Sequence, residues 1–84
     1  MKEYEIGDIV CHYVSRNYYI SEIKKKKIDF TVPVYDISIL FHIDGDKKVM
    51  EQQAGNMING RITSSTIYPD KLKEYITKYP HFFV

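Results

Sequence analysis

Tyr35-Asp36-Ile37-Ser38-Ile39-Leu40-Phe41-His42-Ile43 carries an apolar residue at every second position and runs into Asp44-Gly45. Successive side chains of a strand point to opposite faces, so a period of two marks a strand with one buried side. Tyr35, Ile37, Ile39, Phe41 and Ile43 are thereby predicted to form one core face. Val34, Asp36, Ser38, Leu40 and His42 are predicted to lie opposite. Asp-Gly after such a run is a strong hairpin signal, because a type I′ turn needs positive φ at both central residues.

Downstream of the turn, a return strand is expected over about 47–53. Ala54-Gly55-Asn56 should break or bulge it. Asn59-Gly60 reads as a second hairpin turn, joining Met57-Ile58 to Arg61-Ile62. A last strand over 61–67 is rich in Thr and Ser, which suits a half-exposed position. Upstream, Gly7-Asp8 reads as a turn feeding a strand over about 9–14, and Val14-Ser15-Arg16-Asn17 as the next turn. The second strand, 18–24, places Tyr19 and Ile23 on one face and Tyr18 and Ile20 on the other, which points to a sheet that curls or is covered. Lys24-Lys25-Lys26-Lys27 follows, and its expected place is a hairpin tip. Pro33 cannot donate a ladder hydrogen bond, so an edge or a bulge is expected there.

The tail changes period. Leu72, Tyr75, Ile76 and Tyr79 fall on one face of a helix over about 70–79. Pro69 suits its start, Asp70 meets its positive end, Lys78 its negative end, and Pro80 stops it. So short a helix is marginal alone and must dock on the sheet. His81-Phe82-Phe83-Val84 is an apolar end expected to tuck against the body.

Eighty-four residues suit a single small domain, and hydrophobic residues at 44% with charged residues at 27% are those of a folded protein. Eight Tyr and four Phe are a heavy aromatic load for the core. Cys11 is the only cysteine, which excludes an intrachain disulfide and a Cys-based zinc site and suits a reducing, cytoplasmic interior. No signal peptide or membrane span is legible, so no membrane association is expected. Twelve Lys/Arg balance eleven Asp/Glu at net +1, so no global attraction to nucleic acid operates. Ile, Lys and Tyr are frequent while Ala and Arg are scarce, a bias that suggests an AT-rich bacterial or phage genome.

Catalytic chemistry finds little footing. Cys11 and His12 are strand neighbours and point to opposite faces. His12, His42 and His81 lack metal-ligand spacing. Asp36, Ser38 and His42 spread over ~20 Å of one strand, too far for a proton relay. The glycines form no phosphate loop, and Asp44-Gly45-Asp46 lacks the later ligands of a calcium loop. The chain is accordingly read as not an enzyme, with no catalytic residue, metal or cofactor. Two features suit binding. Lys24, Lys25, Lys26 and Lys27, with Arg16, Tyr18 and Tyr19, form a basic and aromatic candidate surface. The amide-rich segment 51–59 suits a recognition loop, and equally an ordinary surface loop.

The opening Ile6-Gly7-Asp8-Ile9-Val10, followed by short antiparallel strands, resembles the first strand of SH3-like small barrels of the KOW and Tudor-like group. The resemblance reaches at most residues 6–67. The later glycines of the KOW pattern are missing, the strand through Ile43 is long, and the terminal helix is an addition. The resemblance implies a binding module without catalysis and transfers no functional residue. The resulting fold is α+β: a strongly curved antiparallel sheet of about five strands over 6–67 with one C-terminal helix, a closed small barrel being the alternative. The function read from it is a non-catalytic protein-interaction module, such as a small regulatory or inhibitory protein, whose partner is another protein. The alternative is a nucleic-acid-binding barrel using the lysine run.

Overall fold

The computed structural model of the chain describes residues 3–50 and 59–84. Five strands form one antiparallel sheet: β1 (Ile9–Val14), β2 (Asn17–Asp29), β3 (Val32–Asp44), β4 (Lys47–Met50) and β5 (Asn59–Thr63). A 3-10 turn (Ser64–Thr66), the helix α1 (Pro69–Lys78) and a second 3-10 turn (Pro80–Phe83) complete it. The architecture is the α+β sheet-plus-helix expected from the two hydrophobic periods. β1, β2 and β3 form a meander, and β4 and β5 both pair with β3, at opposite ends of it. The sheet is not closed. The chain after β5 returns to β1 through one bridge, His12 to Ile67, and one hydrogen bond, Tyr68 N–H to the Cys11 carbonyl at 2.7 Å.

All five residues of the β3 stripe are buried, yet they do not share a face. Ile20 pairs with Phe41 while the next residue, Ser21, pairs with Ile39, so Leu40 is an extra residue in β3. A bulge of this kind places two successive side chains on one side and bends the strand. Tyr35, Ile37 and Ile39 consequently join Val10, Ile23, Ile62 and Ile67 in a concave core. Phe41 and Ile43 join Cys11 and Ile20 in a second core, with Leu40 packed beside them. The same switch carries His42 onto the concave side next to Tyr19, away from Asp36 and Ser38. The single predicted core face is thus corrected to two half-faces, because an unbroken alternation crosses a bulge.

α1 covers the second core. Leu72, Tyr75 and Tyr79 pack on it, whereas Ile76 stays largely exposed. Pro69 opens the helix, and the Tyr79 N–H closes its last turn on the Tyr75 carbonyl at 2.8 Å. The apolar end tucks in as expected. Phe83 meets Phe41 edge-on with ring centres 5.4 Å apart, and the Lys48 ammonium donates to the Phe82 carbonyl at 3.0 Å.

Four further expectations are corrected. Lys24, Lys25, Lys26 and Lys27 lie inside β2, and the hairpin tip falls beyond them at Phe30-Thr31, between the pair Asp29 and Val32. Asn59 and Gly60 lie within β5, opposite Ser38 and Ile37, so a turn signal has been absorbed by a ladder. The last strand ends at Thr63, where the backbone tightens into the 3-10 turn. The β3–β4 turn has positive φ only at Gly45 (64°), the first central residue, as in a type II′ turn. The type I′ pattern occurs instead at Ser15 (49°) and Arg16 (69°). The expected strand residues 51–53, the break at 54–56, Met57-Ile58 and most of the amide-rich segment 51–59 lie outside the described residues.

Candidate functional site

The lysine run meets carboxylates rather than solvent alone. Lys24 pairs with Glu22 at 3.0 Å, Lys26 with Glu3 at 2.8 Å and Glu5 at 3.5 Å, and Lys27 with Asp36 at 3.1 Å. Arg61 reaches Asp36 from β5 at 3.2 Å. Hydrogen bonds from Lys27 and Arg61 hold the Asp36 carboxyl below its ordinary range, and the bond from Lys26 does the same to Glu3. Such exposed pairs add little to stability. Their effect here is to cancel charge, leaving Lys25 as the member of the run without an ion pair among the described residues. The other proposed contacts lie elsewhere. Arg16 sits in the β1–β2 turn, ~30 Å of strand away from Lys25. Tyr18 and Tyr19 point to opposite faces: Tyr18 packs on the α1 side, Tyr19 on the concave side. The structure therefore does not bring Arg16, Tyr18, Tyr19 and the four lysines into one surface.

Two other surfaces are assembled. The first is the β2–β3 tip. Phe30 is 96% exposed, Ile28 60% and Val32 39%. Phe30 also adopts φ 57°, a left-handed conformation that strains any bulky side chain. Ile28 and Val32 lie on opposite faces of the hairpin, so Phe30 stands at the tip as a single exposed ring that buries almost no area within this fold. The second is an aromatic cluster beside α1. Tyr13 and Tyr18 face one another at 5.0 Å, and Tyr68 meets Tyr18 edge-on at 5.5 Å. The Lys71 ammonium lies 5.5 Å from the Tyr18 ring centre. Its hydrogen bond to Glu74 raises the Lys71 pKa. Sequence periodicity missed the tip because Asp29-Phe30-Thr31-Val32 contains no turn-forming pair.

Reactive side chains are shut inside. The Cys11 thiol is buried in the second core, and burial pushes its pKa up to about 12, which disables it as a nucleophile. His12 Nε2 and Ser21 Oγ share a hydrogen bond of 2.6 Å on the concave side, and both residues are wholly buried. His12 stacks on Tyr19, with ring centres 6.1 Å apart and planes 27° apart, and Tyr19 meets His42 at 4.9 Å. Among the described residues no group of three or more His, Cys, Asp or Glu is placed to hold a metal. Likewise no described helix is long and apolar enough to cross a membrane. No protein-family model, characterised protein or solved structure matches the chain.

Proposed function

We propose that this chain is a non-catalytic protein-interaction module that uses the β2–β3 tip as its anchor. The observation that carries this reading is Phe30, fully exposed in a strained conformation between two exposed aliphatic residues. Aromatic anchors that fill a partner's pocket supply most of the energy of many protein interfaces. Three of the four lysines behind the tip are paired with carboxylates, which suits an apolar pocket better than a polyanion. A small regulatory or inhibitory role in a bacterial or phage cytoplasm accords with the residue bias and the lone buried thiol.

Affinity capture from host extract tests the proposal with three baits: the wild-type chain, Phe30→Gly, and a variant with Lys24, Lys25, Lys26 and Lys27 all replaced by Ser. The expected result is a protein retained by the wild type and the serine variant and lost with Phe30→Gly. Sub-micromolar binding of mixed-sequence oligonucleotides that only the serine variant loses would favour the nucleic-acid reading instead. Nonspecific affinity at physiological salt, ~10⁻⁴–10⁻⁶ M, is the expected ceiling for that interaction.

A further inference from the structure

The seam between β1 and the segment that follows β5 is narrow. It consists of the His12–Ile67 bridge and the Tyr68 N–H bond to the Cys11 carbonyl, whereas β1 is held to β2 by a continuous register from Ile9–Glu22 to Val14–Asn17. β2 and β3 are held along a longer one. Directly behind the seam lies the His12 ring, wholly buried. One ring nitrogen, Nε2, is bonded to Ser21, and the other, Nδ1, is buried without a hydrogen-bond partner among the described residues. An Nε2–H tautomer that donates to Ser21 leaves an unbonded lone pair at Nδ1. A proton added there becomes a charged N–H in a dry site with no acceptor, which is far costlier than the lone pair.

We infer that His12 makes this seam an acid-operated latch, closed while the imidazole is neutral and parted when it takes a proton. The described groups facing the ring are Tyr19 and Ser21 from β2, His42 beyond Tyr19 on β3, and Ile67 across the seam. None of these carries a negative charge at neutral pH, so among the described residues no counter-ion waits for the imidazolium. Water must come to it. Parting one bridge and one hydrogen bond admits water at a smaller cost than stripping β1 from β2. α1 begins at Pro69, the residue after Tyr68, so opening also loosens the support of the helix. Burial lowers the His12 pKa from 6.5 to about 4, in line with a ring that resists protonation while the seam is closed. The sign follows: the open form binds the proton more tightly, so opening is favoured as pH falls from 6.5 toward 4.

Amide hydrogen exchange of the wild-type chain, corrected for intrinsic rates, reads the latch at the Tyr68 N–H. Protection there is expected to fall about fortyfold between about pH 6.5 and pH 4.5, and to lie below that of the Ile20 and Ile37 amides in the centre of the sheet throughout. His12→Gln is expected to abolish the dependence, and His42→Gln to retain it. Protection at Tyr68 that ignores pH, or that equals that of the central amides at each pH, would overturn the inference. The wild-type measurement decides the matter even if His12→Gln does not fold.

Discussion

Phe30→Gly is expected to make the protein more stable, although it deletes one of its largest apolar side chains. The ring is 96% exposed, so removing it forfeits almost no buried area. The backbone at φ 57° strains phenylalanine and suits glycine. Relief of a left-handed conformation is worth about 1–3 kcal/mol. Glycine's extra freedom in the unfolded chain takes back about 0.5–1 kcal/mol. The net expectation is a gain of about 1 kcal/mol, or a rise in Tm of roughly 4–8 °C for a domain of this size. Urea denaturation followed by circular dichroism, with a thermal scan as a second probe, measures it. A loss of about 1 kcal/mol or more is the contrary outcome. It would mean that the ring packs on the hairpin in solution and that its exposure serves the fold rather than a partner.

The bulge makes a second test. Ile39→Ala empties the concave core and should cost about 2–5 kcal/mol, whereas Leu40→Ala, at the half-buried bulge, should cost clearly less; equal losses would contradict the face switch. Leu72→Asp sets a charge against the second core and should lower the Tm by many degrees, while Lys73→Asp, whose side chain is exposed, should change it little. An unchanged Tm for Leu72→Asp would show that α1 is not docked. Cys11 should resist an aromatic disulfide reagent at pH 8 in the native state and react at once in denaturant, since burial keeps its thiol protonated; prompt native labelling would contradict its placement.

What the sequence made legible was local. Alternation through Tyr35, Ile37 and Ile39 located β3, and the spacing of Leu72, Tyr75 and Tyr79 located α1, because each pattern reflects burial on one side of an element. The bulge at Leu40 left no trace. One face of β3 is covered before the extra residue and the other after it, so an apolar residue was required at every second position on either side, and the period continued unbroken. The lysine run misled for a related reason. Consecutive like charges suit a turn, but in β2 Glu22, Glu3, Glu5 and Asp36 lie within reach of three of them, and a strand can then carry them. Asn59-Gly60 misled because a turn pair is only a local preference, which pairing with Ser38 and Ile37 overrides. The His12–Ser21 contact was hidden because it depends on strand register, set by the Val14–Asn17 turn pair. Phe30 was hidden because no local rule anticipates a bulky residue at positive φ.

A tip that anchors another protein places Phe30 within bonding reach of that partner, and site-specific photo-crosslinking captures the contact. A photoreactive phenylalanine analogue at position 30, in the full chain expressed in the host, is compared with the same group at Lys73 on the exposed side of α1. Anchoring through Phe30 gives a discrete protein adduct from position 30 that excess wild-type chain suppresses and excess Phe30→Gly does not. No adduct at position 30, or the same adducts from both positions, would contradict it.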